Sequence, residues 1–219
     1  MAQLSADTTT VKRNLGEIER RVAAACERAG RDAGDVTICV ATKYVDADGM
    51  SALRDAGVRV AAENRLQDML AKQQRFGDDF EWHFIGAIQS RKISQIAERV
   101  SVIHSLASES ARDRLGRFEG PMPRVLVQVN IAGEQSKEGV SPDGLPAFLA
   151  GCPFEVSGLM TMPPLAEVPE LARPHFKRLA ALAQANGLNQ LSMGTTQDFE
   201  VAVEEGATLI RVGSALFAP

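Results

Sequence analysis

Eight short apolar stretches alternate with helix-like segments, and this alternation constrains the fold more than any other feature of the sequence. The stretches are rich in β-branched residues, as strands are, and each is followed by a helix-like segment or by the end of the sequence. Eight such units predict an α/β fold, a (β/α)8 TIM barrel, with an open doubly wound sheet as the alternative. The predicted strands are 36–43, 58–63, 81–86, 100–105, 124–131, 154–160, 190–193 and 208–213.

The segment before the first strand has a helical pattern of its own. Apolar residues recur at three- and four-residue steps from Val11 onward, with charged residues between them. Asp7, or a threonine after it, can cap the start of this helix, and Gly30 can end it. We therefore expect residues 1–30 to form an extra helix packed on the barrel, within one domain that spans 1–219.

The fifth predicted strand favours the barrel over the open sheet. Its valines share one face, whereas Gln128 and Asn130 lie on the other. Valines that face surrounding helices, with amides that face a barrel interior near its mouth, would explain this pattern. An edge strand with one solvated face would explain it too.

Charge and cysteine usage narrow the class of protein. The net charge of −4 and the pI near 5.5 argue against a general nucleic-acid binder. We expect no membrane partner, because no apolar run is long enough to span a bilayer and the first residues lack the features of a signal peptide. Cys26, Cys39 and Cys152 are odd in number and show no metal-ligand spacing. They predict a reducing compartment, the cytoplasm, and no metal site.

The first predicted strand ends in a lysine, Lys43, at the position where barrel proteins place functional side chains. Side chains alternate along a strand, so Lys43 shares a face with the small residues Thr37, Cys39 and Ala41. Desolvation there would favour the uncharged, nucleophilic amine. The alternative is a lysine that simply reaches solvent at a strand end.

Two later strand ends carry glycines and hydroxyls. Residues 192–196 run from the seventh strand toward a helix, and Gly213 and Ser214 follow the eighth. Free N–H groups, hydroxyl donors and glycines bind anions, and barrels commonly bind phosphate after strands seven and eight. Ordinary capping and turn formation is the alternative for each loop taken singly. Together with Lys43, the two loops indicate a phosphorylated cofactor that carries an aldehyde, for which pyridoxal 5′-phosphate (PLP) is the obvious candidate.

At this level of detail the chain resembles the pyridoxal phosphate homeostasis protein family. The matching segments follow the order of the family and cover nearly all of the chain after the first helix. Segment 82–92 (WHFIGAIQSRK) and segment 210–217 (IRVGSALF) are the most distinctive. The other matching segments are 40–43, 63–65, 127–131, 136–140, 158–162 and 191–194.

The resemblance implies a fold type III PLP-binding barrel, like the N-terminal domain of alanine racemase, with the cofactor held on one lysine as an internal aldimine. That lysine maps to Lys43, and Arg211 maps to the partner of the pyridine nitrogen. His83 is included as a cofactor neighbour or substitute base, with a hydrogen-bonded structural histidine as the alternative. The other implied cofactor-binding residues are Asn64, Met160, Ser192, Met193, Gly194, Thr196, Gly213 and Ser214.

The implied role of Arg211 argues against transamination and suits racemisation at best, or no turnover. A guanidinium only donates hydrogen bonds, so the pyridine nitrogen would stay unprotonated and the ring would be a weak electron sink. Related racemases also take a tyrosine base from an additional domain of a partner subunit. The one tyrosine here, Tyr44, points away from Lys43 if the first strand persists.

We therefore expect a monomeric PLP carrier and buffer with no catalytic residues and no classical turnover. Its partners would be PLP and the PLP-dependent apoenzymes that receive it. The alternatives are a PLP-dependent amino-acid racemase or lyase of the alanine racemase type, and an unrelated barrel enzyme that binds a phosphorylated sugar through Lys43.

Some positions depart from the family pattern. Thr42 stands where serine is frequent, and Ala62 stands where glycine is usual. Thr196 keeps a hydroxyl for the phosphate, whereas Thr195 replaces a large apolar side chain and is expected to loosen packing around the cofactor. Lys137 is either a second, transient acceptor of the aldehyde or an anchor for its loop.

Overall fold

The computed structural model describes residues 6–134, 137–165 and 167–218. Three parts of the sequence-based expectations lie outside these ranges: residues 1–5 of the first helical segment, Ser136 of a matching segment, and Pro219 of the predicted domain. Over the described ranges, eight parallel strands close into a barrel in sequence order, and β1 pairs with β8. The strands are β1 Thr37–Ala41, β2 Val60–Glu63, β3 Glu81–Phe84, β4 Val102–Leu106, β5 Arg124–Gln128, β6 Gly158–Met160, β7 Gln190–Thr195 and β8 Leu209–Val212.

Helices follow the strands and cover the outside of the barrel, as the alternation predicts. The closed pairing confirms the (β/α)8 barrel and excludes the open sheet, which would leave β1 and β8 as edges. In the part of the chain that the structure describes, no helix has the length and apolar character needed to cross a membrane. The helices are α1 Thr8–Arg28, α2 Met50–Asp55, α3 Leu66–Phe76, α4 Ile93–Ala97, α5 Glu109–Leu115, α6 Leu145–Ala150, α7 Arg173–Ala185 and α8 Phe199–Glu204.

The core has two parts, one on each face of the barrel wall. The larger part lies between the strands and the helices. The smaller part fills the barrel interior with Cys39, Val60, Ala62, Val102, Leu126, Met160 and Leu209.

The fifth strand ends earlier than predicted, at Gln128. Its valines do face the helices, as the pattern predicts. The amides beyond them hold a loop at the barrel mouth: Gln128 Nε2 donates to Glu138 O at 2.8 Å, and Asn130 Nδ2 donates to Glu134 O at 2.8 Å.

The first strand is also shorter than predicted, and this correction affects the site. β1 ends at Ala41, and Thr42–Tyr44 forms a turn of 3-10 helix. Lys43 therefore does not continue the strand alternation. The turn forms because Thr42 makes hydrogen bonds to side chains from β2 and α3 that no local pattern reveals.

Helix α1 packs across the seam where the barrel closes. The Asp7 carboxylate caps it by accepting from the Thr10 N–H at 2.8 Å, and Gly30 follows it with φ +65°. Its buried face lies against α8, α2 and the C-terminal turn Ser214–Phe217. Asn14 Nδ2 donates to Leu216 O at 3.1 Å and to Ala218 O at 2.7 Å, so α1 holds the last described residues of the chain.

Candidate functional site at the carboxyl ends of the strands

Lys43 lies at the carboxyl end of the barrel, half-buried in the turn that follows β1. Its Nζ lies 5.0 Å from the ring centroid of Tyr44. The expectation that Tyr44 points away from Lys43 applies only if the first strand persists, and this condition is not met, because the strand stops two residues before Lys43. Lys43 and Asn64 together line an open cavity of about 420 Å³.

A buried ion pair supports this turn from below. The Lys72 Nζ contacts the carboxylate of Glu63, and their side chains are 5% and 0% exposed. Lys72 Nζ also donates to Thr42 O at 2.8 Å, and Thr42 Oγ1 donates to Glu63 Oε1 at 2.6 Å. The second carboxylate oxygen accepts from the Asn64 N–H at 3.1 Å. One buried carboxylate thus fixes the residues on both sides of the cavity.

Our sequence reasoning missed Lys72, although the sequence carries a signal for it. Lys72 follows Met69 by three residues and precedes Phe76 by four, so it lies on the apolar stripe of α3. A lysine on such a stripe needs a buried partner, because an unpaired buried charge is very costly.

Asn64 follows β2 and has an unused acceptor at the site. Its Oδ1 is buried and has no hydrogen-bond partner among the described residues. Gly86 packs directly against the backbone of Asn64, where a Cβ at position 86 would lie 2.0 Å from Asn64 O. The glycine therefore lets the segment after β3 approach closely and fixes the position of Asn64.

β7 runs to Thr195, two residues beyond its predicted end, so Gly194 lies in the last part of the strand and only Thr196 of segment 192–196 follows it. This end of β7, the loop after β8 and the Lys43 turn meet one another. The Gly213 N–H donates to Thr196 Oγ1 at 3.2 Å. A Cβ at Gly213 would lie 2.5 Å from Cε2 of Tyr44, so the Tyr44 ring covers this glycine. Gly194 has φ +89°, a conformation that other residues rarely adopt, and Ser214 is exposed. The two predicted phosphate loops thus lie side by side next to Lys43.

Thr195, the residue that departs from the family pattern, has a polar partner in this loop. Its N–H and its Oγ1 donate to Asp198 Oδ1 at 2.6 and 3.0 Å. The hydroxyl therefore closes the turn that leads into α8.

Arg211 lies in the barrel interior and is 5% exposed. Its Nη1 donates to Ser192 Oγ at 2.5 Å, and its Nη2 donates to Thr161 O at 2.9 Å. Burial lowers the pKa of Arg211 to about 10, so the guanidinium is still a cation at neutral pH. Met160, on β6, two strands away from β8, is buried in the apolar part of the same interior.

The side chains of three predicted site residues contact other residues of the protein and do not face the Lys43 cavity. The hydroxyl of Ser192 bonds to Arg211 and lies 2.7 Å from His104 Nδ1, so it faces the interior and not a phosphate loop. The side chain of Met193 packs in the core between strands and helices, so only its backbone can face a ligand. His83 is fully buried, with Nδ1 3.0 Å from His104 Nε2 and Nε2 3.1 Å from Glu81 Oε1.

His104 is a second residue that our sequence reasoning missed. It lies on β4 two residues after Val102, and alternation therefore places both on the interior face. A histidine at that position predicts an interior polar contact. Burial lowers the pKa of His104 well below its usual value, and burial also lowers the pKa of His83 despite the opposing effect of its hydrogen bond to the Glu81 carboxylate.

Lys137 anchors its loop in this structure. Its Nζ pairs with the Glu134 carboxylate at 2.8 Å and donates to Met162 O at 3.3 Å. The loop that follows β5 is thereby tied to the segment that follows β6. This geometry favours the loop anchor over a second aldehyde acceptor.

Comparison with known proteins identifies the family. No family model matches the chain. Over 217 residues the chain is 38% identical to the pyridoxal phosphate homeostasis protein of Aquifex aeolicus, covering 93% of this chain and 95% of that protein. Over 222 residues it is 39% identical to the Pseudomonas aeruginosa protein of the same name, covering 95% of each. The chain belongs to the pyridoxal phosphate homeostasis protein family.

Solved structures agree with this family assignment. PipY of Synechococcus elongatus, solved with PLP bound, superposes with a TM-score of 0.75 at 31% identity, covering 92% of this chain and all of PipY. Alanine racemase of Corynebacterium glutamicum gives a TM-score of 0.72 at 16% identity, covering all of this chain and 64% of the racemase. The racemase comparison shows the shared barrel fold.

The predicted cofactor-binding residues form two spatial groups in the barrel. Lys43, Asn64, Thr196 and Gly213 lie together at the carboxyl edge, around the Tyr44 turn. The interior group lies below them and consists of Arg211, Ser192, His83 and Met160.

Proposed function

We propose that this protein binds PLP covalently through the Nζ of Lys43 and serves PLP homeostasis as a carrier and buffer without classical catalytic turnover. The proposal treats residues 1–219 as a single PLP-binding domain. It is supported by relatives named pyridoxal phosphate homeostasis proteins and by PipY, which was solved with PLP bound.

The observation that carries the proposal is the grouping of Lys43, Asn64 and the Thr196–Gly213 contact at one edge of the barrel. An amine, a buried amide oxygen that has no hydrogen-bond partner in the part of the chain that the structure describes, and the two glycine-containing segments at the ends of β7 and β8 meet around one turn. A ligand with an aldehyde at one end and a phosphate at the other matches this set of groups.

The residues present fit PLP. When bound, PLP supplies an aldehyde that condenses with a lysine amine and releases water. Lys43 would provide that amine, and the loops with Gly194, Thr196, Gly213 and Ser214 would hold the phosphate. Asn64 Oδ1 would accept a hydrogen bond from the ligand. Met160 and Arg211 would lie on the interior side.

Arg211 argues against transamination-type chemistry and suits racemisation at best, or no turnover. Its guanidinium cannot accept a proton from a ring nitrogen or donate one to it, because it has no free lone pair and stays charged. Next to such a cation a pyridine nitrogen stays unprotonated, and charge that develops on a bound amino acid is poorly stabilised. We therefore expect weak assistance to any reaction of a bound amino acid, which agrees with a protein that keeps the cofactor available.

We also propose where the protein acts and which proteins receive its PLP. We propose that a monomer delivers PLP to PLP-dependent apoenzymes in the cytoplasm. The three free cysteines, Cys26, Cys39 and Cys152, suit a reducing compartment.

The deciding experiment is borohydride reduction of the protein after incubation with PLP, followed by peptide mass spectrometry. Reduction converts the carbon–nitrogen double bond to a stable single bond, and we expect one phosphopyridoxyl group per chain, on Lys43. Lys43→Ala should abolish this adduct, whereas the matched control Lys137→Ala should keep it. An adduct spread over surface lysines, or one that persists in Lys43→Ala, would contradict the proposal.

A second assay separates the carrier from its alternatives. The PLP-loaded protein is incubated with each alanine enantiomer, and an apoenzyme is then added. We expect PLP transfer to the apoenzyme and no racemisation or breakdown above the rate of free PLP. Trapping of a sugar phosphate on Lys43 in preference to PLP would instead support the sugar-phosphate enzyme.

A further inference from the structure

Three buried side chains and the exposed Glu81 connect Arg211 to the opposite end of the barrel. Ser192 Oγ lies 2.5 Å from Arg211 Nη1 and 2.7 Å from His104 Nδ1. His104 Nε2 lies 3.0 Å from His83 Nδ1, and His83 Nε2 lies 3.1 Å from Glu81 Oε1. The links join β8, β7, β4 and β3, and β3 lies opposite β7 in the closed order of eight strands.

Arg211, at one end of this series of hydrogen-bonded groups, can only donate hydrogen bonds. A guanidinium has five N–H donors and no acceptor. Arg211 therefore donates to Ser192 Oγ, and its other short contact is to the carbonyl of Thr161.

Glu81, at the other end of the series, can only accept hydrogen bonds. Glu81 begins β3 at the amino-terminal end of the barrel, and its side chain is 43% exposed. Burial alone would raise the pKa of Glu81, but hydrogen bonds from His83 and Ser101 and the charge of Arg124 outweigh it and lower that pKa. At neutral pH the group is a carboxylate, which has no proton to donate. Ser101 Oγ and Arg124 Nη2 each lie 2.9 Å from the same Oε1.

Fixed ends leave one arrangement of protons in which every link has a donor and both histidines are neutral. The Ser192 hydroxyl donates to His104 Nδ1, and His104 Nε2–H donates to His83 Nδ1. His83 Nε2–H then donates to the Glu81 carboxylate. Both imidazoles must carry their proton on Nε2, and reversing any link would leave two lone pairs or two hydrogens facing each other.

We propose that Glu81, His83, His104 and Ser192 form one directional hydrogen-bond relay that positions the guanidinium of Arg211. Its consequence for the cofactor rests on the proposed function: the relay holds Arg211 toward the ring nitrogen of PLP. Glu81 is then a positioning residue that acts on the site from the far end of the barrel.

The charged and titratable groups around the two histidines agree with neutral rings. Cys39 on β1, Glu81 on β3, Arg124 on β5 and Arg211 on β8 face them. The positive charges of Arg124 and Arg211 oppose protonation of His104, as does its burial. Glu81 alone favours protonation of His83, and burial of the ring outweighs it.

A metal ion is the competing explanation for part of this cluster. Cys39 Sγ, His83 Nδ1 and His104 Nε2 lie within 4.8 Å of one another and are fully buried. Zinc binds thiolate sulfur and the lone pair of a neutral imidazole nitrogen. Burial raises the pKa of the Cys39 thiol to about 12, and the relay uses the lone pair of His83 Nδ1 to accept the His104 proton. The relay therefore predicts that zinc does not enter.

The first test needs no variant and no cofactor. Long-range ¹H–¹⁵N spectra of the full-length chain report the tautomer and charge of each imidazole, with His175 on α7 as the histidine outside the relay. We expect His83 and His104 as neutral Nε2–H tautomers at pH 7, unchanged by zinc chloride. An Nδ1–H tautomer, a doubly protonated ring at pH 7, or loss of the His104 Nε2–H signal on adding zinc would overturn the relay.

The second test asks whether the relay positions Arg211 toward the cofactor. Ser192→Ala removes the hydroxyl between His104 and Arg211, and we expect roughly tenfold weaker PLP binding and a shifted pH midpoint of the cofactor absorption band. Ser192→Thr, which keeps the hydroxyl, should restore the band. Glu81→Gln should weaken binding about threefold and shift the midpoint the same way, whereas Glu98→Gln on the exposed surface should not.

The outcomes separate the two proposals. If no adduct forms on Lys43, the proposed function fails, and the tautomers still decide whether the relay exists. If the adduct forms but Ser192→Ala and Glu81→Gln leave the affinity and the absorption midpoint unchanged, the positioning role of the relay is wrong.

Discussion

Replacing Lys72 by methionine would leave the Glu63 carboxylate buried without its cation. Glu63 is 0% exposed, so water cannot replace the lost charge, and the carboxylate would keep two donors, Thr42 Oγ1 and the Asn64 N–H. Removing one partner of a buried pair lowers the free energy of unfolding by about 3–5 kcal/mol. We expect Lys72→Met to fall in this range.

Removing both charges should cost less than the sum of the single changes. In Glu63→Leu with Lys72→Met, no unpaired charge remains, and besides the ion pair itself the losses are three hydrogen bonds, at Thr42 Oγ1, Thr42 O and the Asn64 N–H. At about 1 kcal/mol each they amount to about 3 kcal/mol. Two independent losses of 3–5 kcal/mol would instead give about 6–10 kcal/mol.

Urea unfolding followed by circular dichroism measures these free energies, with an unchanged m value as the check on two-state behaviour. The matched control is Arg75→Met on the same helix, where the Arg75–Asp48 pair is 54% and 83% exposed and should contribute less than about 1 kcal/mol. Amide exchange of Val45 should also speed up in Lys72→Met, because its N–H bonds to the same Thr42 carbonyl. Losses that add to within about 0.5 kcal/mol in the double variant would refute the reasoning.

Three further outcomes test the fold and the interior. Gly194→Ala should lower the free energy of unfolding by more than about 2 kcal/mol in urea titrations, because φ is +89° and the new Cβ would lie 2.5 Å from a neighbouring side chain. The control Gly187→Ala, where φ is +68° and the space around the new Cβ is open, should lower the free energy of unfolding by only about 1–2 kcal/mol. Asn14→Ala should lower the free energy of unfolding by about 1–2 kcal/mol, and with it the melting temperature, because two hydrogen bonds to the C-terminal turn are lost. An unchanged melting temperature would contradict a stabilising role for these hydrogen bonds. The pKa values of His83 and His104 are lowered in the folded protein, so below pH 6.5, the ordinary pKa of histidine, the unfolded chain binds more protons than the folded one. The free energy of unfolding should therefore be constant above pH 6.5 and fall below it, by up to about 1.4 kcal/mol per pH unit per histidine. A flat profile from pH 7.5 to 5.5 would contradict the lowered pKa values.

The barrel could be predicted from the sequence because its signals are local. Strand-like runs, capping residues and glycines repeat along the chain, and each is read within about ten residues. The end of β1 could not be predicted in this way. It is set by contacts of Thr42 with Glu63 and Lys72, which are 21 and 30 residues away.

The same distinction explains which site residues the sequence revealed. Lys43 and the loops with Gly194 and Gly213 follow directly from strand ends in a barrel. Whether the Ser192 hydroxyl faces a phosphate or Arg211 depends on the register of β7 against β8, which shifts between Ser192 and Thr195. The partnership of His83 with His104 likewise depends on how β3 and β4 align.

The seam that α1 covers has a consequence for how this chain becomes a folded molecule. β1 pairs with β8, and α1 rests on α8 and on the turn Ser214–Phe217, so α1 and β1 are synthesised well before the elements that they contact. During synthesis β1 offers an unpaired edge until β8 is made, and α1 is the element that can shield the apolar surface beside it. Lys43, one turn beyond β1, can therefore gain its full surroundings only when the final strand arrives, and competence to bind a ligand there marks the completion of the fold.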